Sequence, residues 1–309
     1  MRPFLRVLLG SWGLASCVAA CQDEPTSTAA ASGGQAAQAA AQVEAVTKEA
    51  ERQARESAQK ALNPKNLPVY SGPVGSVSGV VKISGDEAPL VPEMATQLDA
   101  LPPGACPRAR ELHRKLYRQG ADRTLGDVLV TVTEYQGFLP ARGDSVRVEA
   151  RGCAFDARIL AMTYGQRLDV FNFDNQGYMP RLVGTPSYAL RVALPGGPPV
   201  PVFAPKPGQY MLIDQTRDYM RSDLYVLSYP TFDVTGLDGK FEIAGVPVGK
   251  VKVSAYAPAL GKVVEQSVEI QAGADKALTF EIAFSASEYR ERLRKALEAT
   301  SGGAPSKPQ

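Results

Sequence analysis

Few side chains in this sequence are suited to metal or redox chemistry. It contains one histidine, His113, and four cysteines, Cys17, Cys21, Cys106 and Cys153. A blue-copper centre needs two imidazoles and a thiolate, so a single chain with one histidine cannot assemble it, nor any other two-histidine site. The stretch Tyr210–Phe241 reads as strand, tight loop, strand, turn and strand. Its loop Asp214-Gln-Thr-Arg217-Asp-Tyr219-Met220 has the spacing of a metal-binding loop without imidazole or thiolate. Asp169, Asp174, Asp214, Asp218 and Asp223 lie near it, but none has the spacing of a calcium loop. We therefore expect no metal and no cofactor.

Signatures of catalysis are equally sparse. The sequence has no Gly-rich phosphate loop, no Gly-x-Ser-x-Gly elbow and no cysteine–histidine pair placed for nucleophilic work, so no catalytic residue is assigned and a non-enzymatic role is expected. Asp214 with Asp218 or Asp223 is an ordinary coincidence of carboxylates rather than a glycosidase pair. Lysine plus arginine number 34 against 32 acidic residues, with no basic stripe, which argues against nucleic acid as a partner. Arg142-Gly143-Asp144 matches an adhesion tripeptide, but Gly-Asp is common turn chemistry and we read it so.

The elements that must position these residues begin with a targeting segment. Arg2 and Arg6 precede an apolar run from Val7 to Ala20 that is too short to span a bilayer and reads as an export signal over residues 1–20. Both Leu14-Ala15-Ser16-Cys17 and Val18-Ala19-Ala20-Cys21 match a bacterial lipobox; Cys21 is the expected lipidation site and Cys17 the alternative. Export also favours a disulfide between Cys106 and Cys153, which would stabilise the fold by about 2–4 kcal/mol. Residues 21–68 read as a tether followed, from Gln35 to Leu62, by an Ala-rich solvated spacer helix about 40 Å long. Asn63-Pro64 ends it.

From 69 to 284 the chain is β-rich. Strands are expected at Val74–Ile83, Gly126–Tyr135, Ser145–Arg151, Ile159–Met162, Arg167–Phe173, Tyr188–Ala193, Gln209–Ile213, Asp223–Tyr229, Lys240–Ile243, Lys250–Tyr256, Val263–Ile270 and Ala277–Phe284. The turn Leu139–Asp144 is expected to join the second and third as a hairpin. A segment at 86–120 interrupts the strands and carries Cys106 and a short amphipathic helix, Arg108–Arg118, on which His113 reads as a surface residue. Residues 285–309 form a charged helix and tail.

Val77-Ser-Gly79, Gly126-Asp-Val128, Gly152-Cys153-Ala-Phe155, Asn172-Phe-Asp174, Phe232-Asp-Val-Thr235 and Gly239-Lys-Phe241 through Val246-Pro-Val-Gly249 occur in one order. That order resembles exported bacterial cupredoxin-like proteins with a carboxypeptidase regulatory-like C-terminal portion, over roughly 74–284. The resemblance implies an all-β, cupredoxin-like Greek-key sandwich with regulatory-like C-terminal strands, between an N-terminal spacer helix and a short C-terminal helix. It also implies ligand positions of the form CxxHxWM. Here those positions hold Asp214, Arg217 and Met220, with Tyr219 for the tryptophan and Tyr178 at the first histidine. Arg158, Arg181 and Ala257 stand where the group tends to carry further histidines. The copper ligands are thus lost apart from Met220, and a carboxylate–guanidinium pair of Asp214 and Arg217, with the Tyr178 hydroxyl, is expected in their place. Arg158 and Arg181 would add positive charge nearby.

The reading that follows is a metal-free, lipid-anchored protein of the bacterial envelope, periplasmic or on the outer surface, that binds an envelope protein or glycan. A carbohydrate-binding sandwich is the alternative, with Tyr178, Tyr188, Tyr210, Tyr219, Tyr225, Tyr229 and Tyr256 as contact aromatics. Copper electron transfer is a third reading, disfavoured by the missing ligands.

Overall fold

The computed structural model describes residues 49, 52, 53, 55–185 and 191–301. Residues 1–20, the lipidation candidates Cys17 and Cys21, and Tyr188 lie outside them. The chain divides into two compact units, Met1–Arg52 and Gln53–Gln309. In the first, Glu49 and Arg52 are helical and form an ion pair at 2.6 Å.

The second unit is built from β1 (Val74–Gly85), β2 (Leu129–Thr133), β3 (Ser145–Arg151), β4 (Ala154–Phe155), β5 (Ile159–Thr163), β6 (Arg167–Asn172), β7 (Pro180–Leu182), β8 (Val200–Phe203), β9 (Gly208–Asp214), β10 (Arg217–Leu227), β11 (Phe232–Val234), β12 (Lys240–Pro247), β13 (Gly249–Ala257), β14 (Lys262–Ile270) and β15 (Asp275–Phe284). These strands form four sheets, ordered β12-β1-β15, β11-β2-β13-β14, β5-β10-β9-β7 and β4-β3-β6-β8. The first two sheets close on a core that includes Val81, Val130, Ile243, Val253 and Phe280. The other two close on a second core around Phe155, Met162, Leu168, Leu212 and Leu224. Leu129, Ile159, Ala161 and Tyr225 then pack the inner sheets of the two sandwiches together, giving four stacked layers.

Layer position accounts for the sequence of each strand. β5, Ile-Leu-Ala-Met-Thr, is buried along its whole length and β2 almost so, because inner sheets are covered on both faces. β3 and β15 belong to outer sheets and alternate between core and solvent. This layering corrects the expected hairpin. β2 pairs with β11 and β13, whereas β3 pairs with β4 and β6 in the other sandwich, so Leu139–Asp144 lies on a crossover. Nor do the C-terminal strands build their sandwich alone: β1 runs parallel to β15 and antiparallel to β12. No strand forms in the described part of Tyr188–Ala193; Ala193 makes only an isolated bridge to Tyr178.

The inserted segment folds as α1 (Pro92–Asp99) and α2 (Pro107–His113), packed with Ala154 and Cys153 around Met94, Leu98 and Leu112. The C-terminal helix is α3 (Ala286–Ser301). Residues 55–62 are helical, as composition predicts, and mostly exposed, but the helix also docks at one point. Ala58 is buried against Gly165, where an added Cβ would come within 2.9 Å of the Ala58 methyl, and Arg55 pairs with Asp144. Arg142 donates to the Ala244 carbonyl, so both charges of the Arg-Gly-Asp tripeptide have internal partners.

Candidate functional site

Asp214 is the last residue of β9 and Arg217 the first of β10, joined by the two-residue turn Gln215-Thr216. A carboxylate at this corner can accept from the backbone just ahead of it, and Asp214 does so. Its Oδ1 accepts the Thr216 N–H at 3.0 Å and the Thr216 hydroxyl at 2.6 Å; its Oδ2 accepts the Met179 N–H at 2.6 Å. Arg217 adds an ion pair at 3.3 Å to the fully buried carboxylate. The guanidinium lies 5.1 Å from the centroid of the Tyr178 ring and donates to Gln176 Oε1 at 3.0 Å.

From Gln176 the network continues through Tyr178 to the half-buried Asp174. Gln176 Nε2 donates to the Tyr178 hydroxyl at 2.8 Å, and that hydroxyl donates to Asp174 at 2.5 Å. Asp174 also accepts the N–H groups of Gly152 and Cys153 at 2.9 and 3.0 Å. Burial works against the Asp174 charge, but the Cys153 N–H, the Tyr178 hydroxyl and the Gly152 N–H together hold its pKa below the usual carboxylate range. Burial, reinforced by Asp174, pushes the Tyr178 phenol upward, so it remains a neutral donor. Cys153 is disulfide-bonded to Cys106, whose Sγ lies 3.7 Å from the Tyr219 hydroxyl. Met220 is fully buried in the second core.

Tyr178, Asp214, Arg217 and Met220 are therefore brought to one end of the second sandwich. The donor set does not fit a copper ion. The carboxylate oxygens are already engaged, the Arg217 guanidinium and the neutral Tyr178 phenol are poor metal donors, and the thioether packs among apolar side chains. Among the described residues no cluster of three or more histidine, cysteine or acidic side chains could hold a metal. Asp169 is paired with Arg167 at 2.8 Å, and Asp218 is exposed. The expected tyrosine platform is broken up as well: Tyr178 and Tyr225 are buried, Tyr225 packing edge-to-face with Tyr256.

Arg158 and Ala257 do not converge on this cluster, whereas Arg181 lies beside it, one residue along from the Pro180–Asp214 strand pair, without a hydrogen bond or ion pair to it among the described residues. Ala257 ends β13 in the other sandwich, and Arg158 donates at 3.0 Å to the Lys115 carbonyl beside α2. Arg158 instead faces His113, whose expected surface position is corrected: it is 5 % exposed. Its burial has a sequence signal, since Ala109, Leu112, His113 and Leu116 are spaced i, i+3, i+4 and i+7 and all four are buried. Burial first, then the charges of Arg158, Arg221 and Arg118, lower the His113 pKa from 6.5 to about 3. Gln176, which bridges Arg217 to Tyr178, carries no comparable signal.

No protein-family model matches the chain, and no curated protein matches it. Among solved structures it is similar in part to the copper-containing nitrite reductase NirK from Thermus scotoductus SA-01, at 19 % identity and a TM-score of 0.23 over 31 % of this chain and 24 % of that one. A Cu(I) structure of an amicyanin variant is similar at 15 % identity and a TM-score of 0.24, over 32 % of this chain and 98 % of that one. This chain thus spans about a quarter of the nitrite reductase. The assignment as an all-β sandwich protein rests on the sheet order itself.

Proposed function

We propose that this protein is a non-catalytic, metal-free binding or structural module of the bacterial envelope, held at a membrane by a lipid on Cys21. The observation that carries the metal-free part is the closed Asp214–Arg217–Gln176–Tyr178–Asp174 network at the loop that would hold a metal ion. Every polar head group in it has a partner within the protein, so an ion would have to displace several hydrogen bonds to enter. The export-like segment and the lipobox around Cys21 support the envelope location, and the lack of a nucleophile–base pair supports a role in binding.

The test has two arms. Purified full chain, incubated with Cu(II) or Cu(I) and desalted, should retain far less than one equivalent of copper and develop no thiolate charge-transfer band; stoichiometric retention would sink the metal-free reading. Cys21→Ala should release the protein from the membrane fraction while Cys17→Ala does not. The reverse pattern would move the anchor to Cys17, and release by neither would remove it.

A further inference from the structure

A cavity of about 290 Å³ lies where α2, β10 and the turn Pro258–Leu260 meet Tyr289 of α3. A smaller one of about 100 Å³ shares Arg158, Asp223 and Ala259 with it as lining. The larger cavity's charged lining is Arg158, Arg221 and Asp223, with His113 beside them. Two guanidiniums against one carboxylate leave one positive charge, because His113 is neutral and the nearby Arg118 is already paired with Asp127 at 2.5 Å. No hydrogen bond or ion pair engages the Arg221 guanidinium among the described residues, and His113 Nε2 is buried without a partner. The half-exposed Arg221 guanidinium is free to take a ligand from the cavity, and a buried unpartnered atom such as His113 Nε2 is rare in a folded interior and marks the cavity wall beside it. Val91, Leu116, Met211 and Ala259 give the remaining wall an apolar character.

We propose that this cavity binds a small organic monocarboxylate, its carboxylate on Arg221 and Arg158 and its apolar body against Val91 and Met211. A single negative charge balances the site, whereas a phosphate dianion would leave it net negative. Guanidinium geometry suits a carboxylate, and the volume sits at the lower limit for small-molecule pockets. The site shares no residue with the Asp214 network and stands or falls independently of the metal-free reading.

His113 is the only histidine in the sequence, so its imidazole signals report on the cavity without assignment. In NMR spectra of the purified full chain, acetate, butyrate and benzoate should be titrated against benzamide and inorganic phosphate. The expected result is a saturable shift of the His113 signals with at least one monocarboxylate, a much weaker response to phosphate and none to benzamide. Arg221→Gln should weaken the affinity about tenfold or more, and Arg221→Lys less. No shift with any of the three carboxylates would overturn the proposal, as would an equal response to benzamide or a preference for phosphate. The benzoate–benzamide comparison on the unmodified protein decides the matter even if Arg221→Gln fails to fold.

Discussion

β10 carries two polar clusters four to six residues apart, and they differ in how their groups are satisfied. At its start, Arg217 joins Asp214, Gln176, Tyr178 and Asp174 in a chain of contacts in which each head group has a partner at hydrogen-bonding distance. Further along, Arg221 and Asp223 face His113 and Arg158 across a cavity, with the His113 Nε2 unpartnered. The first cluster is closed by local chemistry: Asp214 is satisfied largely by the turn it initiates. The second is assembled from α2, the β4–β5 connection and β10, and no single element supplies its missing partners. A satisfied network fixes a structure, while an unsatisfied one beside a cavity leaves room for a ligand.

The largest effect is expected where the closed cluster is opened. Asp214→Ala removes the acceptor of three hydrogen bonds and an ion pair from a position with 0 % exposure. Loss of about 3–5 kcal/mol is expected, lowering Tm by roughly 10 °C in a unit of this size. Urea unfolding measures it, and a change within about 0.5 kcal/mol of the parent would mean that the cluster does not fix this end of the sandwich. Replacing both Cys106 and Cys153 with serine opens a loop with a sequence separation of 47. The expected cost is about 2–4 kcal/mol, with α1 and α2 losing hydrogen-exchange protection before the strands do. Uniform loss of protection would show that the inserted segment is held by its apolar contacts with Ala154 instead.

Much of this architecture was legible in the sequence because alternation and turn chemistry are local. Ser145–Arg151 lies in an outer sheet and its bounds follow from its pattern; Asp238-Gly239 makes its turn, with the Lys240 N–H on Asp238 at 3.1 Å. Strands of two to four residues, such as β4, β7, β8 and β11, are too short to show a period. The division into two sandwiches was hidden for another reason: β2 and β3 are neighbours in sequence, and only pairing with β13 and β6 separates them. The Asp214–Arg217 pair was legible because its partners are three residues apart. The cavity was not, since Arg158 and Arg221 meet His113 only through tertiary packing, and the spacing of Ala109, Leu112, His113 and Leu116 was masked by flanking charges.

The open cluster should reveal itself through pH. In the unfolded chain His113 titrates near 6.5 and in the folded protein at about 3, so the unfolded state takes up more protons between those values. Stability therefore falls as pH drops from 6.5 toward 3 and is fully present only above this window. Asp156 and Asp223, raised first by burial, act with the opposite sign above 3.8, so the difference from a His113→Gln variant isolates the imidazole. That variant should lose about 2–3 kcal/mol less than the parent between about pH 7 and pH 4.5. Parallel stability curves would place His113 in contact with water rather than against the cavity wall.

The smallest effect is expected at Arg217, and it sharpens the contrast with Asp214. Its side chain is 24 % exposed, so its ion pair at 3.3 Å is partly screened. Arg217→Ala also removes the 3.0 Å bond to Gln176 and the stacking on Tyr178, yet it leaves Asp214 with the Met179 N–H, the Thr216 N–H and the Thr216 hydroxyl. A loss of about 1 kcal/mol is expected, with weak dependence on salt. In a double-mutant cycle the Asp214→Ala/Arg217→Ala protein should then be little less stable than Asp214→Ala alone, because the carboxylate carries most of the local order. If Arg217→Ala instead cost as much as Asp214→Ala, the guanidinium would be what holds Gln176, Tyr178 and Asp174 together, and the closed cluster would have to be read as one cooperative network rather than as a turn-centred carboxylate with a cation added.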